Sequence, residues 1–280
     1  MQISGTTRVF MVIGDPIAQV QAPLVFNDLL RRHGVDAVLV PAHVRPGQVA
    51  AFARHVLAAE NIDGLWVTIP HKPALAMLVD HCDRNAAVAS SVNAVRREQD
   101  GKLLGALFDG EGFVKALRHF GFDPARRSAL LVGAGGAGAA IAASLIGTGL
   151  RHLALHDLGD RAAELASRLA AHATSTRVTP AGADPAGFDL VVNATPLGLK
   201  PDDPLPFDVE RLDAGATVVD ILMKPTPLLP ACRARGIDAH PGFEMLVQQV
   251  PDYLEFFGLH DAARAVRADL SEVRELLHAH

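Results

Sequence analysis

Lys72 and Asp109 are the two residues whose types and settings could move a proton. Lys72 ends the run Val67-Thr68-Ile69-Pro70-His71-Lys72, just past a short apolar strand and at the start of a helix. Ligands of α/β sheets bind at such strand ends. A cation at a helix N-terminus opposes the helix dipole, so a compensating group is expected. Asp109 is the candidate, in Phe108-Asp109-Gly110-Glu111-Gly112 at a strand-to-helix turn. A Lys–Asp pair in a cleft can remove a hydroxyl proton as hydride leaves the same carbon. Taken singly, each residue is better explained by a plainer role: an exposed lysine, and an Asp that caps the next helix.

A second group of residues points to a dinucleotide. The apolar run 129–132 reads as a buried strand that enters Gly133, Gly135, Gly136, Ala137 and Gly138, and an Ala-rich helix follows. This is G-x-G-x-x-G in its required context. Gly133 allows the tight turn, Gly135 lets the backbone approach a pyrophosphate, and Gly138 lets helix and strand pack closely. The phosphates would sit at the positive end of the helix dipole. The strand 152–156 ends at Asp157, about 20 residues beyond the glycines, where a ribose-binding carboxylate belongs. An acid there repels a 2′-phosphate, so NAD is expected. Arg161 could contact such a phosphate, which keeps NADP as the alternative. Glycines needed only for packing, with Asp157 as a helix cap, are the plainer reading. The register of Asp157 weighs against it.

The elements that must position these residues alternate. Strand-like segments at 8–13, 37–41 and 64–69 are separated by helical ones at 23–34 and 46–59. Segments 92–96 and 102–107 flank Gln99-Asp100-Gly101, a hairpin signal. Helices are expected at 110–119, 161–172, 228–235, 243–256 and 262–277, and strands at 189–193 and 217–221. Repeated β-α units imply mostly parallel sheets covered by helices on both faces. The fold class is therefore α/β with two domains, which a length of 280 residues allows. Hydrophobic residues at 49% and charged ones at 20% fit a globular chain. The net charge of −5, without a basic run, gives nucleic-acid binding no support. Cys82 and Cys232 are far apart and the thirteen histidines are scattered, so no metal site is expected. No apolar run is long enough to span a bilayer, and a cytoplasmic protein with reduced thiols is expected. A small-molecule substrate is the expected partner. A homodimer is one state that the sequence allows.

Taken together, these segments resemble the shikimate dehydrogenase family, quinate/shikimate dehydrogenases included, over nearly the whole chain. Gly14-Asp15-Pro16-Ile17 is similar to the family's opening G-x-P-I, with Ala22-Pro23 through Asn27 continuing it. The Lys72 segment resembles V-T-x-P-x-K, Val92-Asn93 resembles A-V-N-T, and Asp109-Gly110 with Gly112 resembles D-G-x-G. Asn193-Ala194-Thr195-Pro196-Leu197-Gly198 is close to N-A-T-P-x-G. Gly242 through Gln249 is similar to G-x-x-M-L-V-x-Q. The resemblance implies an α/β substrate domain over 1–108, completed by C-terminal helices over 244–280, with a Rossmann-like NAD(P)-binding domain over 109–243. It implies Lys72 and Asp109 as the catalytic pair and Thr68, Asn93 and Gln249 as substrate hydrogen-bonders. Asn193, Thr195, Pro196, Ile221 after Asp220, and Gly242 would join the cofactor site. The implied reaction is reversible hydride transfer between a ring secondary alcohol, such as shikimate, quinate or a related cyclic hydroxy compound, and nicotinamide.

The chain also departs from the family. Val20 and Ala22 stand at the two serines of S-x-S-P that hold the substrate carboxylate. Trp66 stands where the family usually has Asn, Leu107-Phe108 stand at its Asn-Thr, and Met223 at a common Tyr. Trp66 and Met223 are thus expected at an altered substrate pocket, with core packing an equal reading for Trp66 and Phe108. An unpartnered carboxylate in such a pocket would cost several kcal/mol, so shikimate itself should bind poorly unless Gln248, Lys224 or His240 supply new anchors. Two other functions compete. A methylenetetrahydrofolate-dehydrogenase-like activity would use Trp66 to stack on a pterin. An NAD(H)-binding sensor would need no catalysis, and the intact Lys72–Asp109 pair weakens it. His71 is expected to cap the strand end or face solvent.

Overall fold

The structure, a computed structural model, describes residues 3–200 and 202–279. Met1, Gln2, Pro201 and His280, which fall inside the expected domain ranges, lie outside the described residues. The chain divides into two compact units. One takes the residues up to Phe108 and those from Gln249 onward, the other Asp109–Gln248.

The first unit opens with β1 (Arg8–Gly14), α1 (Ala22–Arg32), β2 (Ala37–His43), α2 (Val49–Val56), β3 (Ile62–Val67), α3 (Lys72–Ala76), β4 (His81–Cys82), α4 (Arg84–Ala89), β5 (Ala94–Arg97) and β6 (Leu103–Ala106). Its sheet has the order β2-β1-β3-β5-β6-β4. Strand β1 is parallel to β2 and β3, whereas β5 is antiparallel to β3 and β6. The expected hairpin joins β5 to β6, and Gly101 takes the left-handed conformation, φ +86°, that the turn requires. On β3, Gly64 and Trp66 point to one face, as do Phe10 and Val12, which stand level with them on β1. Gly64 is small for a reason: a Cβ there would lie 2.2 Å from the ring of Phe257.

The second unit contains α5 (Asp109–His119), β7 (Ser128–Val132), α6 (Gly136–Leu145), β8 (His152–His156), α7 (Arg161–Ala170), β9 (Arg177–Pro180), β10 (Leu190–Asn193), β11 (Thr217–Asp220), α8 (Leu228–Ala234) and β12 (Asp238–Pro241). All its strands are parallel, in the order β12-β11-β10-β7-β8-β9. Strands β7 and β10 are buried throughout, as expected of a sheet covered on both faces. The strand order reverses between β7 and β10, and such a switch point opens a crevice at the strand ends. Helix α6 is rich in alanine and almost wholly buried. Its smallness lets α5 approach closely: a Cβ on Gly110 would lie 2.0 Å from the Ala140 carbonyl oxygen.

Helix α9 (Phe243–Phe256) follows, then α10 (His260–Ala268) and α11 (Ser271–Ala279), which belong to the first unit. The periodic stretch 262–277, expected as one helix, is two. Asp269 leaves the helix at φ −144°, and its carboxylate accepts from the Ser271 amide at 2.9 Å. That local bond competes with helix continuation. The helix expected over 46–59 begins as a 3₁₀ turn at Pro46–Gln48 and ends at Val56. Strand β4 has two residues, too few for periodicity to show, and β9 and β12 are the edge strands of the second sheet, exposed at both ends and without the continuous apolar run of β10 and β11.

Candidate active site

In the first unit, the carboxyl end of β3 carries the candidate chemistry. Thr68 follows the strand, its amide donating to Ile13 (3.0 Å), and Lys72 is the first residue of α3, half-buried. The Lys72 carbonyl accepts from the Val92 amide at 3.1 Å, which sets Asn93 beside the same segment. Asn93 is wholly buried. Its backbone bonds Ala106 and Val67, and its Oδ1 accepts from the Phe108 amide at 3.0 Å. Asp83 holds the same stretch from the other side. Its carboxylate accepts from the amides of Ala86 (2.7 Å) and Leu107 (2.8 Å), while burial pushes its pKa above the usual carboxylate range.

His71 corrects an expectation. It neither caps the strand nor faces solvent: it is 1% exposed, and its Nε2–H donates to the Val44 carbonyl at 2.7 Å. The turn at Ile69 and Pro70, both exposed, swings His71 inward so that it ties α3 to the segment after β2. Trp66 is 4% exposed and packed. Its ring stacks on Phe257 (4.0 Å between centroids) and Tyr253 (5.6 Å), with Phe10 and Phe26 edge-on. Phe108 meets Tyr253 at 5.0 Å. Gln249 lies one helical turn before Tyr253 on α9, buried, with its Oε1 lacking a protein partner.

In the second unit, Asp109 is the first residue of α5 and is buried. Acids in the first turn and Arg118 and His119 in the last complement the helix dipole. The glycine loop lies at the switch point. Gly133 has φ +108°, and a Cβ there would meet the Ala194 backbone at 2.6 Å. A Cβ on Gly138 would lie 1.9 Å from the Gly133 carbonyl oxygen. Gly135 and Gly136 instead face open space, with nothing within 4 Å of an added Cβ. Helix α6 has no side-chain N-cap, so its first-turn amides are available to an anion.

Beside this loop is a cavity of about 320 Å³. It is lined by Val132, Gly133, Gly135, His156, Asp157, Leu158, Arg161, Ala194, Thr195, Pro196 and Leu197. Asp157 is fixed from both sides, its two oxygens accepting from the amides of Ala134 and Leu158 at 2.6 Å each. Arg161 is exposed, its guanidinium 4.0 Å from Asp157. Six expected cofactor residues, Gly133, Gly135, Asp157, Arg161, Thr195 and Pro196, therefore share one cavity.

The others shape its surroundings. Asn193 is wholly buried: its Oδ1 accepts from the Thr195 amide (3.0 Å) and hydroxyl (2.7 Å), and its Nδ2 donates to Asp220 (3.1 Å). Asp220 also accepts from the Thr226 hydroxyl, and burial pushes its carboxyl above the usual range. Ile221 donates its amide to the Asn193 carbonyl (3.1 Å), and a Cβ on Gly242 would meet Ile221 at 2.5 Å. Met223 is 49% exposed in the loop after β11. The roles of Asp83, His71 and Tyr253 escape motif reading. Only Asp83, before an apolar helical segment, carries a local signal, that of an N-cap.

Known proteins share this fold. The family model described as shikimate dehydrogenase substrate binding domain matches residues 12–95. A shikimate dehydrogenase (NADP(+)) of Rubrobacter xylanophilus is 40% identical over 259 residues, covering 89% of each chain. Another, of Acidiphilium cryptum, is 40% identical over 283 residues, covering 96% of this chain and 99% of that one. Among solved structures, the quinate dehydrogenase of Corynebacterium glutamicum in complex with NAD superposes with a TM-score of 0.85 at 27% identity, covering 98% of this chain and 99% of that one. With identity of this extent, over two sheets of this topology and a glycine cradle at the switch point, the chain belongs to the shikimate dehydrogenase family, oxidoreductases that act on a secondary alcohol.

Proposed function

We propose that this chain is an NAD-preferring dehydrogenase that oxidises a ring secondary alcohol reversibly, with substrate held by the first unit and dinucleotide by the second. The observation that carries the reading is the glycine cradle. Two of its glycines are demanded by packing, two leave the backbone open, and a fixed carboxylate stands at the end of β8. These residues fit a dinucleotide. The first-turn amides of α6 would take the pyrophosphate and Asp157 the ribose hydroxyls. Each Asp157 oxygen still has lone-pair capacity beyond its one backbone bond. Its negative charge disfavours a 2′-phosphate, which supports NAD although the curated relatives above are named for NADP(+).

Lys72 is assigned as the group that takes the hydroxyl proton in oxidation and returns it in reduction. Asp109 is assigned as the second residue of the proton transfer, the acid that the family resemblance implies. Thr68, Asn93 and Gln249 would orient ring hydroxyls. Bound nicotinamide supplies the hydride acceptor or donor. The alcohol carbon thereby loses a hydride and its oxygen a proton, leaving a ketone.

The test is nicotinamide reduction with quinate, shikimate and related cyclic alcohols, with NAD and NADP compared and Lys72→Ala run alongside. Expected is turnover that favours NAD and falls by about 10²-fold or more in the variant, the range of general acid–base catalysis. NADP preference would remove the cofactor assignment. Undiminished turnover by Lys72→Ala would remove the mechanism.

A further inference from the structure

We infer, resting on the dinucleotide reading above, that Asp220 is a positioning residue for the cofactor, acting through Asn193 to fix the Thr195–Leu197 wall of the cavity. Asn193 ends β10 and Asp220 ends β11, level with each other in the parallel register. Their side chains therefore share one face of the sheet, at the end where the glycine loop turns. Both are buried, at 0% and 1% exposure. Thr195, Pro196 and Leu197 line the cavity, and the segment before them is seated on the glycine loop, where Gly133 packs against the Ala194 backbone. Beyond them Gly198, at φ +103°, closes on the loop after β11: an added Cβ would lie 3.0 Å from the Thr226 Cβ.

The hydrogen bonds along this path run in one sense, and Asp220 sets it. An ionised carboxylate only accepts. Asp220 receives three uncharged donors: Asn193 Nδ2 (3.1 Å), the Leu222 amide (3.2 Å) and the Thr226 hydroxyl. Asn193 must then turn its Nδ2 toward Asp220 and its Oδ1 toward Thr195, where it accepts from the amide (3.0 Å) and the hydroxyl (2.7 Å). The Thr195 hydroxyl, its proton committed to Asn193, accepts from the Leu197 amide at 3.1 Å. Turned over, the Asn193 amide would set its NH₂ against the Thr195 N–H, donor against donor. The turn at 195–197 would lose its brace, and buried donors left unpaired are costly. The path needs an acceptor at 220 rather than a charge. Asp220 Oδ1, which faces Asn193, also takes the Leu222 amide. An amide at 220 would thus keep its oxygen there and offer its NH₂ to the Thr226 hydroxyl, which can accept.

The experiment is calorimetric binding of NAD, or of NADP if the wild type prefers it, at a temperature where each variant is folded. Compared are wild type, Asp220→Ala, Asp220→Asn, Asn193→Ala, Thr226→Val and the double variant Asp220→Ala with Asn193→Ala. Expected is a Kd raised about tenfold or more in Asp220→Ala, the lower end of what a hydrogen bond to a charged group contributes. Asn193→Ala should lose as much and the double variant no more, because both cut one path. Asp220→Asn should restore wild-type affinity, and Thr226→Val should keep it, since the oxygen facing Asn193 is untouched. A carboxylate that serves only the fold would lower the melting temperature of Asp220→Ala and leave the Kd of the folded variant unchanged, which overturns the inference. Additive losses in the double variant overturn it too, as does an Asp220→Asn as weak as Asp220→Ala or a comparable loss in Thr226→Val. If Asp220→Ala does not fold, Asn193→Ala and Asp220→Asn decide: the first must weaken binding and the second must not. Each of these failures leaves the dinucleotide reading standing. A wild type that binds neither NAD nor NADP removes that reading and the inference together.

Discussion

Two glycines of one loop should fail in opposite ways. Gly138→Ala places a methyl 1.9 Å from the Gly133 carbonyl oxygen and 2.9 Å from its carbon, both backbone atoms that cannot rotate away. Overpacking of this kind costs about 1–3 kcal/mol, or roughly 2–4 °C in melting temperature per kcal/mol for chains of this size. Gly135→Ala meets nothing within 4 Å, and Gly135 has an ordinary φ of −72°. The fold should gain about 0.4–1 kcal/mol from the stiffer unfolded chain. If a pyrophosphate must reach that backbone, however, the methyl should remove a charge-assisted contact of about 1.5–3 kcal/mol, roughly 10- to 150-fold in affinity. Thermal unfolding with and without NAD reads both. At 100 times its Kd, NAD stabilises the wild type by about 2.7 kcal/mol. A variant whose Kd is raised about 100-fold gains only about 0.4 kcal/mol at the same concentration. Gly138→Ala should melt early, and Gly135→Ala should melt normally but barely respond to NAD. A full NAD response in Gly135→Ala would refute the cradle. A wild-type melting temperature in Gly138→Ala would refute the packing.

Gly64→Ala should destabilise the first unit by about 1–3 kcal/mol, since the added methyl would lie 2.2 Å from the Phe257 ring. Denaturant unfolding checks the loss, and a shifted Trp66 emission in the folded variant checks that the stacked ring moved. The two thiols should differ in reactivity. Burial pushes Cys232 up to about 11, so it should resist a thiol reagent until the chain is unfolded. Cys82 is exposed, with burial and then the Asp83 charge raising its pKa. Its reaction should quicken as pH rises toward that value, because the thiolate is the nucleophile. A chromogenic disulfide titration of native and denatured protein should find one reactive thiol and then two. Two fast thiols in the native protein would contradict the burial of Cys232.

Much of the fold is legible because the signals are local. The run at 129–132, the glycines after it and Asp157 at the end of β8 declare a strand-turn-helix-strand, and the hairpin at Gln99-Asp100-Gly101 declares its own turn. What fails is where one local bond decides against a periodic pattern. Asp269 takes the Ser271 amide, and an apolar repeat that reads as one helix becomes two. Strand β4 has two residues, too few for any alternation to show.

The candidate site is less legible, because its supports come from distant parts of the chain. That Trp66 is packed follows from Tyr253 and Phe257, about 190 positions away, whose rings no spacing around β3 could announce. His71 reads as a surface histidine until Val44 is placed beside it. Asp157 shows a different limit. The motif assigns it to a ribose, yet in the structure it also ties down the amides of Ala134 and Leu158. Removing its carboxylate would loosen the glycine turn as well as the ribose contact. A changed NAD:NADP ratio in an Asp157 variant would therefore mix specificity with loop order. Gly135→Ala does not share that defect, because Gly135 touches nothing in the protein that its added methyl could disturb. Whether the cradle serves a dinucleotide is thus decided at Gly135, and the choice between NAD and NADP by comparing both cofactors on the unaltered chain.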